Sequence, residues 1–230
     1  MKQELYKLEN QIEKLKRGEP SNFLDAKELL FLSSKIAKGK YEIYSPYKDA
    51  EKKIIYSKNL PEVILYKIIT KEELRHREIM GSVLALNIDN SCLGDIINKD
   101  GIWYFYILKN VSSYIKNNLT SIGKNRIELE EINLDKLSSY EREYEKLEFI
   151  VSSTRIDTVV SSIINKNRKD IIDMLKNKEI IVNYEEINKP SYTLKENDIF
   201  SIRRHGKYKY IGIIKSTKKD HLVISCLKYK

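Results

Sequence analysis

The first apolar residues of the chain recur every three or four positions, as on one face of a helix: Leu5, Leu8, Ile12 and Leu15. Residues 2–17 are therefore predicted to form an amphipathic helix, which Gly18 and Pro20 end. Ser21 is the predicted cap of a second helix over residues 23–37. We expect both helices to dock on the rest of the chain, although an external partner for their apolar faces is the alternative.

Apolar residues from position 53 to position 132 alternate between strand and helix spacing. The predicted strands are 53–57, 63–69, 93–97, 102–108 and 126–132, and the predicted helices are 71–86 and 111–119. From Val63 onward the order is β-α-β-β-α-β, the ferredoxin-like arrangement that RNA-recognition modules share. Residues 138–148 are strongly polar, with Tyr140, Tyr144 and Leu147 at helical spacing. They predict a connecting helix and a domain boundary near residue 148.

The predicted strand 102–108 carries four consecutive aromatic residues. Trp103 and Phe105 share one face, and Tyr104 and Tyr106 share the other. RNA-recognition modules stack bases on aromatic residues in such positions. This segment has almost no net charge and no basic aromatic motif on a partner strand, so packing within the protein is the favoured interpretation.

The C-terminal third begins with two short predicted helices. The first has a continuous apolar face: Ile156, Val159, Val160, Ile163 and Ile164. Thr154 and Asp157 have the spacing of a capping box at its start, and Asn167 and Asp170 repeat that spacing at the start of the second helix. Strands are predicted over 180–182 and 199–202, followed by a hairpin after Gly206. The whole chain is therefore predicted to be α+β.

Charge is distributed unevenly along the chain, whose net charge is +9. Residues 1–150 hold 25 Lys and Arg against 24 Asp and Glu, whereas residues 151–230 hold 17 against 9. This asymmetry favours a polyanionic partner for the C-terminal third. A solvated, lysine-rich surface explains the charge alone equally well.

Several of these cations coincide with predicted helix starts and strand ends. Arg155 opens the first helix, and Arg168 and Lys169 open the second, where free N–H groups favour phosphate. Asp157 and Asp170 oppose this field, so we expect them to act as caps or as partners of the arginines, beside Thr154. The candidate RNA-binding residues are Arg155, Asn167, Arg168, Lys169, Lys176, Lys178, Asn183, Arg203, Arg204, Lys207 and Lys209.

Two sets of segments resemble known families. Residues 153–157, 167–169, 180–183 and 198–203 resemble the S-four-like (αL) RNA-binding domain, except that Lys178 stands where that domain usually has Gly. The segments that resemble the YlmH family of bacterial S-four-domain proteins are 76–82, 93–96 and 190–192. The element pattern and the resemblance together predict three domains: a helical region with a strand over 1–60, an RNA-recognition-like domain with the connecting helix over 61–148, and an S-four-like domain with a hairpin over 149–230.

The YlmH resemblance implies a function as well as a fold. Its members bind RNA on the large ribosomal subunit, and they act in quality control of translation that stalls with peptidyl-tRNA on the subunit. We therefore expect ribosomal RNA as the partner, with tRNA as an alternative, and a monomer when the protein is free. The family's genes are also linked to cell division, so a division adaptor that uses the neutral N-terminal region remains a further alternative.

An enzyme is the other class considered. Many S-four-domain proteins modify RNA, but a pseudouridine synthase needs a catalytic Asp in a separate large domain, and no Gly-rich cofactor loop follows a predicted strand. His76 and Arg77 are the most enzyme-like pair, yet a surface role explains them better. Cys92 and Cys226 lack metal-ligand spacing. No apolar run approaches the ~18 residues of a membrane span. We expect no catalytic residue, metal or cofactor, and a cytoplasmic location.

Overall fold

The computed structural model describes residues 2–37 and 39–229, and the side chains from Tyr6 onward; the predicted apolar position Leu5 lies outside the described side chains. The chain divides into two compact units, which we call unit 1 (residues 1–141) and unit 2 (residues 142–230). Both units combine helices with strands, so the fold class is α+β, as the sequence predicts. None of the described helices has the length and apolar character of a membrane span.

Unit 1 contains four helices and eight strands among its described residues. In chain order they are α1 (Lys2–Lys16), α2 (Ala26–Lys35), β1 (Glu42–Tyr44), β2 (Ile54–Tyr56), β3 (Val63–Ile69), α3 (His76–Leu84), β4 (Leu93–Lys99), β5 (Ile102–Leu108), α4 (Lys109–Asn118), β6 (Ser121–Ile122), β7 (Asn125–Arg126) and β8 (Glu128–Ile132). Short 3-10 turns precede β4 and follow β8. From β3 onward the long elements follow the order that the sequence predicts, and the β6–β7 hairpin is an addition.

The main sheet of unit 1 has the strand order β4-β5-β3-β8, with antiparallel neighbours throughout. Tyr66 of β3 packs on Phe105 of β5 and donates a hydrogen bond to the Ser112 carbonyl of α4, so this face is covered by helix. The other face is covered by the N-terminal region, where the Tyr47 ring stacks on Tyr106. Both faces of the sheet are therefore part of one core.

The start of α2 corrects one prediction. Asp25 is the N-cap: its Oδ1 accepts the Glu28 N–H at 2.8 Å, and Glu28 Oε2 accepts the Asp25 N–H at 2.9 Å. The predicted cap Ser21 is wrong, because its buried Oγ accepts the N–H of Ile55 at 2.9 Å. Ser21 thus joins the N-terminal segment to β2.

The start of α3 also differs from the sequence prediction. The helix begins at His76, five residues later than predicted. Glu78 Oε2 accepts the N–H of Arg75, which fixes Arg75 as the cap, and the Thr70 hydroxyl accepts the N–H of Glu72 in a preceding turn. These local side-chain hydrogen bonds compete with helix in the first residues of the predicted segment.

Unit 2 contains two helices and six strands among its described residues. They are β9 (Tyr144–Val151), α5 (Ile156–Ile164), α6 (Arg168–Lys176), β10 (Ile180–Val182), β11 (Glu185–Glu186), β12 (Ile199–Ile202), β13 (Gly206–Ser216) and β14 (Leu222–Tyr229). The sheet order is β11-β10-β12-β13-β14-β9. Its core joins the apolar faces of α5 and α6 to one face of this sheet.

Strand β9 overturns the predicted connecting helix over residues 138–148. Residues 144–151 pair with β14 along their whole length, from Tyr144 opposite Tyr229 to Val151 opposite Leu222. The more buried residues alternate as Leu147, Phe149 and Val151, which is the period of a strand. The prediction of a helix from the spacing of Tyr140, Tyr144 and Leu147 is therefore wrong. The predicted domain boundary at residue 148 falls inside β9.

Candidate nucleic-acid interface

Asp157 is a fully buried carboxylate in the first turn of α5. Its Oδ1 accepts hydrogen bonds from Arg155 Nε (3.1 Å) and from the Thr158 N–H (2.9 Å). Its Oδ2 accepts from Arg155 Nη2 and from Arg168 Nε, both at 2.8 Å. Burial by itself would raise the pKa of Asp157, but the hydrogen bonds from the two guanidinium groups outweigh it and lower the pKa. Asp157 therefore joins the starts of α5 and α6, the pairing role that the sequence offered as one alternative.

The Asp157 carboxylate reduces the positive charge that Arg155 and Arg168 can offer to a ligand. The side chain of Arg155 is 35% exposed and that of Arg168 is 60% exposed, so both still reach solvent. Together with Asp157 they carry a net charge of +1 rather than +2. Their first task is to compensate a buried charge, because an unpaired one is strongly destabilising.

The entry to α5 is held by backbone contacts and not by the predicted Thr154 cap. Arg155 is the N-cap residue and makes no side-chain cap bond. The Thr154 carbonyl accepts the Leu194 N–H at 3.0 Å, and the Ile156 N–H donates to the Tyr192 carbonyl at 2.8 Å. The predicted capping box at this helix is therefore wrong, since the chain from residue 192 to residue 194 satisfies these groups.

The start of α6 matches the sequence prediction. Asn167 Oδ1 accepts the Asp170 N–H at 2.9 Å, which is the predicted cap. Lys166, Arg168 and Lys169 are all exposed around this cap. The N-terminus of α6 is thus an open helix end with cations beside it, which is favourable for a phosphate group.

A second group of cations lies at the other end of α6. Lys178, which stands where the S-four-like domain usually has Gly, takes the left-handed conformation (φ 58°) after the helix. The Arg203 N–H donates to the Glu179 carbonyl at 2.8 Å, so the end of β12 lies beside the start of β10. Arg204 follows with a left-handed φ of 67° and is exposed. Lys176, in the last turn of α6, is exposed as well.

We call the exposed cations at the two ends of α6 and at the end of β12 the α6 surface: Arg168, Lys169, Lys176, Lys178, Arg203 and Arg204. The nine-residue helix is about 13 Å long, and Lys169 and Lys176, seven residues apart, lie on the same side of it. Ion pairs of Lys176 with Asp173 (3.5 Å) and of Lys178 with Glu186 (2.8 Å) are solvent-exposed, and such pairs contribute little.

Asn183 has a structural role that the sequence did not predict. Its Nδ2 donates to Asp198 Oδ1 at 2.8 Å, and its Oδ1 accepts the Ile199 N–H at 3.0 Å. Asn183 is also in the left-handed conformation, with a φ of 49°. The amide therefore holds the turn after β10 against the buried Asp198.

Lys207 and Lys209 lie away from the α6 surface. On β13 they alternate with Tyr208 and Tyr210, which are buried on the core face that α5 and α6 cover. The two lysines therefore lie on the opposite face of the sheet. Lys207 Nζ is 5.0 Å from the ring centroid of Tyr184 and 4.8 Å from that of Tyr229, so its charge is partly taken up by cation–π contacts.

The charge excess of unit 2 is concentrated in its last strands. Residues 151–200 hold eight basic and eight acidic side chains, whereas residues 201–230 hold nine basic side chains and one acidic one. The β13–β14 hairpin carries exposed Lys215, Lys218 and Lys219 near its tip. The segment of highest positive charge is thus the end of β12 and the hairpin, whereas residues 151–200 taken together are neutral.

Gly94 and Asp95, in the segment 93–96 that resembles the YlmH family, both have structural roles. A Cβ on Gly94 would lie 2.8 Å from Phe23 Cζ and 2.8 Å from Tyr106 Cβ, so only glycine fits. The buried Asp95 carboxylate accepts the backbone N–H groups of Glu51 (2.8 Å) and Lys52 (3.1 Å) and the hydroxyl of Tyr47. The segment therefore holds the N-terminal region on the sheet.

The aromatic residues of β5 pack inside unit 1, as the sequence favours. Phe105 and Tyr106 are fully buried and Tyr104 is 5% exposed, so neither face offers the platform of an RNA-recognition module. Trp103, at the beginning of the strand, is only partly buried, and its ring centroid lies 6.4 Å from that of His76.

The two cysteines are both buried. Burial raises the pKa of the Cys226 thiol to about 12 and also raises the pKa of Cys92. A buried thiol with a raised pKa is a poor nucleophile. In the part of the chain that the structure describes, no group of three or more His, Cys, Asp or Glu side chains could hold a metal ion.

Comparison with known families gives a match in unit 1. Residues 62–136 match the family described as "Putative RNA-binding domain in YlmH". This range runs from the start of β3 to the turn after β8. That family description names RNA binding for a segment of unit 1, where the nearly neutral charge count of residues 1–150 did not predict it.

Two individual proteins are also similar. The Ribosome-associated protein quality control protein P2 of Bacillus subtilis (strain 168) is 29% identical over 145 residues, which cover 63% of this chain and 56% of the relative. The chain thus matches just over half of that relative's length. The solved structure of the cell division protein ylmH from Streptococcus pneumoniae has a TM-score of 0.48 and 17% identity, over 57% of this chain and 90% of that one.

Proposed function

Since these matches confirm that the chain resembles the YlmH family, we propose that it is a non-catalytic RNA-binding protein that holds structured RNA. The RNA is ribosomal RNA of the large subunit, with peptidyl-tRNA as a neighbouring ligand, and the setting is quality control of stalled translation. The name of the Bacillus subtilis relative supports this setting.

The observation that carries the proposal is the α6 surface, a set of exposed cations on unit 2. The α6 surface joins an unobstructed helix N-terminus, capped by Asn167, to exposed cations at the opposite helix end. Residues 201–230 extend this charge into the β13–β14 hairpin. Under this proposal, α5, α6 and the strands that follow act as the S-four-like domain expected from the sequence, and unit 1 acts as the RNA-recognition-like domain.

Contacts at the α6 surface are to phosphates and to RNA shape. Duplex RNA hides its base edges in a deep, narrow major groove, so helix-borne arginine and lysine side chains meet mainly backbone. Each phosphate contact releases counterions, and affinity falls as salt rises. Arg155 and Arg168 contribute through the charge that Asp157 leaves uncompensated, whereas Lys169, Lys176 and Arg204 contribute a full charge each.

Co-sedimentation of the full chain with large ribosomal subunits at increasing salt tests the proposal. The informative variant is Lys169→Glu/Lys176→Glu/Arg204→Glu, because all three side chains are exposed and none of them compensates Asp157. We expect binding to weaken by tenfold or more. We also expect the slope of log affinity against log salt to decrease by roughly 2, since each phosphate contact adds about 0.7–0.9.

A matched control removes the same charge from unit 1. Lys27→Glu/Lys40→Glu/Lys116→Glu changes three exposed lysines on the near-neutral unit, and we expect binding within about twofold of the parent protein. Equal losses in the two triple variants would show that binding follows net charge alone and would contradict a specific RNA surface on unit 2.

A further inference from the structure

A groove of about 610 Å³ opens at one end of the main sheet of unit 1. It lies between the segment that follows β3 and the β4–β5 hairpin, and its lining includes Ile69, Leu74, Asn98, Ile102 and Trp103. A second groove of about 700 Å³, toward β6 and β8, shares residues 69–71 with it. The volume of each falls in the range of small-molecule sites.

The groove exists because β3 and β5 separate. Among the described residues their pairing ends at Lys67 opposite Tyr104. Beyond that point Trp103 pairs only with Asn98 of β4, whereas Ile69 pairs with Glu128 of β8. The two halves of the sheet therefore part, and backbone and side chains of both strands border the gap.

Apolar side chains that are not buried in the core of unit 1 line the groove. Ile69 is 42% exposed and Ile102 is 38% exposed, and the Trp103 indole lies between the core and solvent. This is the one place on β5 where an aromatic ring is accessible, because the rings that follow are buried. A flat, apolar ligand could stack there.

The charged side chains at the rim of the two grooves nearly balance, so the phosphate backbone of a bound nucleic acid would be held only weakly beside the apolar floor. Lys67, Lys71 and Arg126 border the two grooves, and the Thr70 hydroxyl donates to the Arg126 carbonyl at 3.4 Å, which places Arg126 beside Lys71. The acidic side chains at the rim are Glu72, Glu73 and Glu128. They offset these cations, so the attraction of phosphate is small here and stacking is the larger contribution.

We propose that this groove binds unstacked bases of single-stranded RNA, with Trp103 as the stacking platform and Lys71 and Arg126 beside the path of the backbone. Every base has a π face, and stacking on an aromatic side chain is tolerant of sequence. RNA is the favoured occupant because the groove lies within the segment that matches an RNA-binding domain. The inference rests on the proposed function but uses a different unit of the protein.

Trp103 reports on its own ligand, since it is the only tryptophan of the chain. Titration of the full chain with a ten-nucleotide oligo(U) or oligo(A) RNA should quench its fluorescence with a saturable curve. The slope of log affinity against log salt should be no more than about 1.4, the value for two phosphate contacts on a single strand. Quenching should persist in Lys169→Glu/Lys176→Glu/Arg204→Glu, so a failure of the unit 2 site leaves this result intact.

Variants assign the signal to the groove. With a labelled oligonucleotide and fluorescence anisotropy, Trp103→Ala should weaken binding about tenfold, the loss expected for one stacked base, and Trp103→Phe should retain most of it. Tyr114→Ala, which removes an exposed ring from α4, is the matched control and should bind as the parent does.

Two results would overturn the proposal. One is saturation of oligonucleotide binding without any change in Trp103 emission. The other is Trp103→Ala that melts as the parent does and binds the oligonucleotide with unchanged affinity. If Trp103→Ala unfolds, Lys71→Glu/Arg126→Glu decides: it should weaken binding by several-fold while the Trp103 emission of the free protein stays the same, and undiminished binding would contradict the assignment.

Discussion

The two units use their sheets in different ways. Unit 1 buries both faces of its four-stranded sheet, one under α3 and α4 and the other under the N-terminal region. Unit 2 covers one face of its six-stranded sheet with α5 and α6, and its charge lies on the outer side of α6 and on the last strands. A ligand of the main sheet of unit 1 must therefore bind at an edge or an end of that sheet, whereas unit 2 presents an open charged surface.

The largest expected effect concerns the charge that unit 2 buries. Arg155→Met/Arg168→Met leaves the Asp157 carboxylate buried without its cationic partners, and unit 2 should lose about 3–5 kcal/mol of unfolding free energy. Urea unfolding followed by circular dichroism measures this. Lys169→Met, beside Arg168 but without a bond to Asp157, should change stability by less than about 0.5 kcal/mol. A double variant as stable as the parent would mean that Asp157 does not need the arginines.

The corresponding change in unit 1 is steric. Gly94→Ala places a methyl group 2.8 Å from Phe23 and Tyr106, and we expect a loss of about 1–3 kcal/mol from overpacking in unit 1. Gly81→Ala is the control, because no atom lies within 4 Å of its new Cβ and it sits in α3. That variant should gain up to about 1 kcal/mol. Thermal melting distinguishes the two, and equal losses would contradict the packing described for β4.

The smallest expected effect is the pH dependence of unit 2. The pKa of Asp157 is lower in the folded protein than the ordinary value near 3.9. Its contribution to stability is therefore present above about pH 4 and is lost as the pH falls through the folded pKa. Asp157→Asn should remove that part of the acid dependence. Unfolding measured between pH 6 and pH 2.5 checks it, and parallel curves for parent and variant would be the contrary result.

Local patterns predicted most of the long elements. The apolar face of α5, the Asn167 cap of α6 and the order of elements from β3 to β8 all follow from residues close in sequence. Strand β9 was not predicted because its register is set by β14, whose paired residues lie 71 to 85 positions further along the chain. Its alternating apolar residues were the available signal, and the helical spacing of the tyrosines outweighed it.

The candidate site shows the same division between local and distant information. The sequence offered pairing with arginine as one role of Asp157, but it did not show that both Arg155 and Arg168 bind this one buried carboxylate. Asn183 resembled a surface contact because its bonds to Asp198 and Ile199 join distant segments. The Trp103 groove forms where the pairing of β3 and β5 ends. The sequence signals this only through an aromatic residue placed directly after the predicted turn between β4 and β5.

The central claim is that the α6 surface and the last strands of unit 2 hold structured RNA. Ultraviolet crosslinking of the full chain to large ribosomal subunits, with mass spectrometry of the RNA-linked peptides, tests it most directly. We expect crosslinked peptides from residues 166–178 and 201–219, and their loss in Lys169→Glu/Lys176→Glu/Arg204→Glu. Crosslinks confined to α1 and α2, with none from unit 2, would contradict the account.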